Sequence, residues 1–508
     1  MSYKVGKTRT EITFLPACLD DYVPENHICR VIHAFVTMLD LAALGFKNAT
    51  IKSLGNRPYD PRTMLMLYIY GYLNRIRSSR RLEAEAKRNV EVMWLMGNLT
   101  PDDKTICNFR TDNTKALKAV FKEFVKMCRG LELYGGEKAA TDGAKFRANN
   151  SRKNNHNTIT VERELSRIDK QISEYMNALD AADAAEAHEK ALDPVKLKET
   201  LDKLQKRKEK FEGYKESLKT KSEISTVDPD ARLMKSGGDA RSLDVCYNVQ
   251  TVTDDKYDLI VDFEVTNQSN DKGQLHNMSI KAKEALNIDK LINLADKGYY
   301  DGEDISACEQ DGITCLVAKP KAGGDKKEEG FTHEDFKYDR ENNCYVCPCL
   351  QRLKFMRLHK HNNGKYYNLY ANYSACVKCP QKSKCTKTKY REILRSIYQD
   401  TLDIVDERTR NNKALYRKRQ EIAEHPFGTV KAVWGYKQFL CRTEPKVTAE
   451  TALAYLAYNV RRVINIFAEK NLDLTAAIRL FFSYLFFYSA INGFFAQSFI
   501  KFNFSALF

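Results

Sequence analysis

Four short β-type runs constrain this chain more than any other feature. "KAATDGAKFRA", "LDVCYNVQTVTD", "YDLIVDFEVTN" and "KLINLADKGYY" are strand-length stretches rich in apolar and β-branched residues. The "DDK" between the second and third predicts a hairpin, and "NMSIKAKEALN" between the third and fourth predicts a helix. Strand, hairpin, helix, strand is the order of a mixed sheet, so the fold class is α/β. Two of the runs deliver an aspartate at or near their end, Asp142 and Asp296, each followed closely by glycine. Beyond Asp142 the chain turns polar through Lys145, Arg147, Asn149 and Asn150, which predicts that the strand ends there and the basic run leaves the sheet. A solvated loop after an edge strand accounts for that polarity as well, but not for the recurrence of aspartate and glycine on two strands.

Two interruptions break the sheet pattern. From Ile159 to about Ser222, sparse apolar residues (Val161, Leu165, Ile168, Ile172, then Leu197, Leu201, Leu204, Phe211 and Leu218) recur at steps of three, four and seven among mixed charges. That seam predicts an antiparallel helical hairpin spanning about 155–225, with the break at Asp193-Pro194. It serves as a dimerisation or DNA-contact arm on one reading and as a structural spacer on the other; the mixed charge favours the spacer. The second interruption, about 325–395, holds Cys344, Cys347, Cys349, Cys376, Cys379 and Cys385, six of the 14 cysteines. Paired Cys-x-x-Cys units across a loop suit tetrahedral Zn²⁺. The preferred ligands are Cys347, Cys376, Cys379 and Cys385, with Cys344 as a substitute for one of them; the alternative is free thiols in a small β-rich module.

The flanks read as helical. Residues 1–130 carry helical stretches such as "RTMLMLYIYGYLNRI", and "LTPDDKTICNFR" offers Thr100 as an N-cap before Pro101. Arg75, Arg77, Arg80, Arg81, Lys87 and Arg88 in this region either meet DNA phosphates or form a solvated basic face. After the cysteines, "YRKRQEIAEHPFGTVKAVWGY" predicts a helix from Tyr416 to about Glu424 and a turn at Pro426 and Gly428. Glu421 and Glu424 lie three apart on one face, with Arg417, Arg419 and Lys431 around them. In the tail, 471–508, "LFFSYLFFYSAINGFFAQSFI" has no charge and approaches the roughly 20 residues of a membrane span. Its Ser, Tyr, Asn and Gln content favours a helix packed on the core over an anchor, so no membrane partner is expected.

Composition narrows the partner. At 508 residues the chain is long enough for two to four units. A balance of 82 Lys and Arg against 67 Asp and Glu gives a formal charge of +15, which favours a polyanion such as double-stranded DNA; a basic enzyme with another substrate is the alternative. "MSYKVGKTRT" lacks the apolar stretch of a secretory signal, so a reducing, cytoplasmic setting is expected, with the cysteines as thiols or metal ligands. Asp142, Asp296 and a helix-borne glutamate form a hard-oxygen set suited to two Mg²⁺ (or Mn²⁺) ions about 3.5–4 Å apart.

The blocks "TDGAKFRANNS", "DPDARLMKSGG", "CYNVQTVTD", "LADKGYYDGEDI" and "EHPFGTVK" resemble the signature blocks of bacterial insertion-sequence transposases of the DDE class, in the group with a cysteine-containing insertion before the last acidic residue. They span about Lys138 to Tyr436, and the helical region before them resembles the N-terminal domain of the same group. The resemblance implies an RNase H-like catalytic core over 135–470, a helical DNA-binding domain before it, and Asp142, Asp296 and Glu424 as the metal-binding triad. It also implies DNA cleavage and joining at transposon ends by a dimer or higher multimer. In the related pattern a Tyr and an Arg precede the glutamate and a Lys follows seven residues later. Lys431 fits Glu424, but Arg417 and Gln420 stand where Tyr and Arg are expected, which leaves Glu421 as a rival. Lys145, Arg147, Arg417, Arg419 and Lys431 are the expected DNA contacts. Two alternatives remain open: a metal-dependent nuclease of the same fold, and a zinc-containing DNA-binding protein with a vestigial site.

Overall fold

The computed structural model describes residues 18–50, 57–184, 194–235, 243–320, 330–361 and 364–492. Six helices come first: α1 (Ile28–Thr37), α2 (Pro61–Leu73), α3 (Ser79–Arg88), α4 (Val90–Met96), α5 (Asp103–Asp112) and α6 (Thr114–Gly130). α2 is apolar all round and its residues from Met64 to Leu73 are buried, which makes it the centre of this layer. α5 starts later than Thr100 predicts. Asp102 is the N-cap, its carboxylate accepting from Thr105 N at 2.6 Å, because a short acidic side chain meets the first-turn N–H groups better from there.

The central sheet combines β1 (Lys138–Arg147), β4 (Arg232–Lys235), β5 (Leu243–Asp254), β6 (Ile260–Thr266), β7 (Leu291–Ala295) and β8 (Ile313–Val317). Its order is β4-β5-β1-β7-β8, with β6 also on β5. β1, β7 and β8 run parallel, while β5 is antiparallel to β1, β4 and β6. α9 (Leu275–Leu286) and α10 (Gly302–Gln310) make the crossovers to β7 and β8. A buried polar chain fixes the β1/β7 register: Thr141 Oγ1 lies 3.0 Å from Asn293 Oδ1, and Asn293 Nδ2 donates to Ser279 Oγ of α9 at 2.6 Å.

The first interruption is the expected antiparallel pair, α7 (Thr158–Ala184) and α8 (Pro194–Ser217), rooted in the two-residue strands β2 (Asn155–His156) and β3 (Ile224–Ser225). Val161, Ile168 and Phe211 bury its seam, flanked by Leu165, Ile172, Tyr214 and Leu218. The break at Asp193 falls outside the described residues, and α8 starts at Pro194. The second interruption is a five-stranded antiparallel sheet of β9 (Lys337–Asp339), β10 (Cys344–Val346), β11 (Arg352–Lys360), β12 (Tyr366–Ala371) and β13 (Glu392–Ser396). Two short helices, α11 (Tyr373–Val377) and α12 (Lys382–Cys385), sit between β12 and β13.

Helices α13 (Gln399–Asn411), α14 (Lys413–Phe427), α15 (Glu444–Glu469) and α16 (Leu474–Asn492) complete the described chain. No turn breaks α14 at Pro426. The helix carries that proline to Phe427, forgoing the one backbone hydrogen bond its missing N–H would make, and runs on through a π-helical turn, Gly428–Val433. α15 is buried along most of its length against α2, α6 and β6, so the N-terminal helices and the sheet share one hydrophobic core. Asn459 closes the backbone of Ile260 on β6, accepting from its N at 2.9 Å and donating to its O at 2.8 Å. Among the described residues no helix is long and apolar enough to cross a membrane; the tail beyond Asn492 lies outside them.

Candidate active site

Asp142 does not end its strand. β1 continues to Arg147 because the antiparallel β5 pairs with it throughout, whereas its parallel partner β7 stops level with Thr141. Thr141 pairs with Ala295, so Asp142 and Asp296 are the next residues on two adjacent strands, one mid-strand and one at a strand end. Asp296 caps the turn after β7, its Oδ1 accepting from Gly298 N at 2.6 Å, and Asp142 Oδ1 accepts from Gly143 N at 2.8 Å. Burial pushes the Asp142 carboxyl up to about 6, and the charges of Asp296 and Asp271 push the same way; the Gly143 N–H and Arg419 pull it down.

Asp271, in the loop between β6 and α9, is a third acid at this point, and no sequence motif singled it out. Its Oδ1 accepts from Asn248 Nδ2 at 2.8 Å and from Gln250 Nε2 at 2.7 Å, and Gln250 in turn accepts from the buried Tyr299 hydroxyl. Both glycines make room. A Cβ on Gly143 would lie 2.5 Å from Asp271 Oδ1, and one on Gly298 would lie 2.8 Å from Asp296 Oδ1. The sequence does hold a signal for Asp271: Asn248 and Gln250 are fully buried polar residues two apart on a core strand, and such residues need a buried partner.

α14 crosses these strand ends. Ile422 and Ala423 pack on Ala140, Leu294 and Leu316, and the Tyr416 hydroxyl donates to Ala295 O at 3.2 Å, next to Asp296. Arg419 reaches Asp142 electrostatically and its Nε is buried without a hydrogen-bond partner. Glu424 and Glu421 are both exposed on the helix, but their neighbourhoods differ. The Glu421 charge acts on Asp258 and His425. That pair sits at the β5/β6 turn, where His425 Nδ1 meets Tyr458 Oη at 2.7 Å and Tyr458 donates to Asp258 O at 2.7 Å. Glu424 lies one turn after Gln420 on the same face of the helix.

The basic residues divide. The Arg419 charge acts on Asp142, and Arg417 is exposed. Lys431 is bound to β1, its Nζ donating to Lys145 O at 2.6 Å and standing 5.3 Å from the Phe146 ring centre. Arg147 is still in the strand and pairs with Asp244 at 3.1 Å, so the basic run after Asp142 is partly neutralised inside the sheet. Arg77, Arg80, Lys87 and Arg88 are ion-paired with Glu450, Asp103, Glu83 and Glu85.

In the cysteine module, Cys347, Cys376, Cys379 and Cys385 line one cavity together with Cys349. Cys344 is buried in β10 and is not among its lining residues, because the alternation of that strand turns it to the other side.

Two family models match the chain. The model described as "Transposase domain (DUF772)" covers residues 17–112, the first five helices, and the one described as "Transposase DDE domain" covers 346–464, from β10 through α14 to α15. Both matches support an insertion-sequence DDE transposase. Transposases act on DNA, the polyanion that the +15 charge favours. The matched stretch of the transposase includes Glu424 and the cysteine cavity, while Asp142 and Asp296 lie between the two matches. No curated protein and no solved structure matches the chain.

Proposed function

We propose that this transposase cuts DNA at transposon ends and joins the freed 3′-hydroxyl to target DNA, using Asp142, Asp296 and Glu424 as its metal-binding acids. The single observation that carries this reading is the juxtaposition of Asp142 and Asp296 on adjacent parallel strands with α14 laid across them. The β6-β5-β1-β7-β8 order, with β5 antiparallel and α14 arriving after the cysteine module, supports an RNase H-like core. The donor set fits Mg²⁺: hard carboxylate oxygens, with Asp142 held in the protonated direction until a cation offsets its neighbours. When bound, the divalent ions supply charge stabilisation and acidify the attacking oxygen.

The chain's own residues do the rest. Asp142 and Asp296 are fixed by backbone N–H bonds and by the β1/β7 register, so the oxygens they present need no reorganisation. Asp271, held by Asn248 and Gln250, adds a further negative charge and orients the Gly143 edge. Arg419 balances that charge and, with its free Nε, faces a phosphate oxygen when DNA is present. In the first reaction water attacks phosphorus, the P–O3′ bond breaks and a 3′-hydroxyl leaves with a proton. In the second, that hydroxyl attacks a target phosphodiester, forming a new P–O bond and releasing the target's 3′-oxygen, which takes up a proton. The transposase acts as a dimer or higher multimer on paired ends. A cleavage and joining assay on duplexes carrying the element's ends, in Mg²⁺, tests the reading: nicked and joined products are expected from wild type and neither from Asp296→Ala, which still binds DNA. Nicking without joined product would favour a nuclease, and binding without nicking a vestigial site.

A further inference from the structure

We infer that the cysteine module is built around one structural Zn²⁺, held by Cys376, Cys379, Cys385 and one of two competing sulfurs, Cys347 or Cys349. The inference is independent of the carboxylate site. Five thiols from three separate segments line a single cavity, and Cys379 Sγ stands 3.8 Å from Cys349 Sγ. That is the spacing of two ligands on one tetrahedral ion with Zn–S bonds of about 2.3 Å. No third sulfur lies within 4.8 Å of both, so binding draws the knuckles together.

The backbone around the sulfurs is shaped for this. Cys347, Pro348 and Cys349 form a knuckle in which Leu350 N donates to Cys347 O at 2.8 Å and Gln351 N donates to Cys347 Sγ at 3.3 Å. An N–H aimed at sulfur favours the thiolate form. Leu350 adopts φ 58° with its side chain 82% exposed, a left-handed conformation a branched residue takes only where the surrounding structure enforces it. The second knuckle runs from the end of α11 to α12, with Lys382 N donating to Cys379 O at 3.2 Å.

A cation already faces the thiols. Arg391 lines the cavity and its Nε is buried with no hydrogen-bond partner, although its Nη1 donates to Cys385 O at 3.3 Å. An unpaired guanidinium N–H is costly in an apolar pocket and well satisfied beside a zinc-thiolate centre, whose four sulfurs leave a net negative charge.

The module is also tied to the catalytic helices. Arg395 of β13 is buried, stacks 3.8 Å over Tyr338 of β9 and binds Asp400 and Asp403 at 2.6 and 3.0 Å on α13, the helix that leads into α14.

The experiment is zinc analysis of the full-length chain purified without chelator, alongside Co²⁺ substitution read by absorbance. Wild type and Cys344→Ser are expected to hold about one zinc per chain and to give the charge-transfer and d–d bands of tetrahedral thiolate cobalt. Cys379→Ser and Cys385→Ser should lose most of the zinc. Cys347→Ser and Cys349→Ser should each keep more than half, and the double variant should lose it. Wild type with no zinc and no tetrahedral cobalt spectrum overturns the inference, as does zinc that survives Cys376→Ser/Cys379→Ser. The wild-type cobalt spectrum stands even if a serine variant misfolds.

Discussion

Asp142 and Asp296 occupy the same level of two adjacent parallel strands, immediately past the Thr141–Ala295 pair. Two carboxylates placed so closely repel each other, and burial makes the repulsion worse.

The cost of that arrangement depends on pH. Asp142 is raised from 3.8 to about 6, so its folded form binds a proton more tightly than the unfolded chain does. For a carboxyl raised in this way, the favourable contribution is complete below the unfolded value and is lost as pH rises through about 6. At neutral pH without metal the group therefore destabilises the fold, by about 2–3 kcal/mol. Asp142→Asn should raise the melting temperature in chelator at pH 7.5, and the gain should shrink to about a third of that at pH 4.5. Calorimetry at the two pH values measures this; a variant less stable than wild type at pH 7.5 would show that the carboxylate is not strained.

Gly143 should tolerate no side chain. A methyl there meets Asp271 Oδ1 and Gln250 Nε2, both 2.5 Å from its position, and must displace the Asp271 carboxylate. Gly143→Ala should lower Mg²⁺-dependent cleavage about 10-fold to 100-fold while DNA binding persists, and Asp271→Asn should fall in the same range. Cleavage rates at saturating DNA decide this, and two wild-type rates would remove Asp271 from the site.

The two candidate glutamates are told apart by substitution. The Glu421 charge acts on Asp258 and His425 at the β5/β6 turn. Glu424→Gln should therefore cost on the order of 10²–10³ in cleavage rate and Glu421→Gln less than about 3-fold. The reverse order would move the third acid to Glu421.

Glu450 is the buried junction between the N-terminal helices and the loop before α15. It is 2% exposed, accepts from Leu440 N and Cys441 N at 2.9 Å, and pairs with Arg77 at 3.2 Å. Glu450→Ala leaves a part-buried guanidinium and two N–H groups unpaired, so urea denaturation should show a loss of about 3–5 kcal/mol. A loss under about 1 kcal/mol would mean that water replaces the carboxylate.

Much of this was legible in the chain. Apolar runs and periodicity placed the strands and the helical arm, and the paired cysteines marked the module. Aspartate before glycine marked two of the acids, since both strands need a tight approach there. Three things were not legible. The length of β1 beyond Asp142 depends on its antiparallel partner, which lies about a hundred residues away. Asp271 sits in a polar loop, and only the buried Asn248 and Gln250 on a distant strand point to it. The partners that Arg147 and Lys431 find in the fold, Asp244 and a β1 carbonyl, are distant in sequence. Tertiary pairing of this kind leaves no trace in local composition.

The most direct test of the account is the metal dependence of DNA cleavage by Asp296→Cys. A thiolate is a poor ligand for Mg²⁺ and a better one for Mn²⁺. If Asp296 holds the ion, the variant should bind DNA, fail to cleave in Mg²⁺ and regain cleavage in Mn²⁺. Wild-type cleavage by the variant in Mg²⁺ would contradict a metal-binding role for Asp296, and with it the proposed triad.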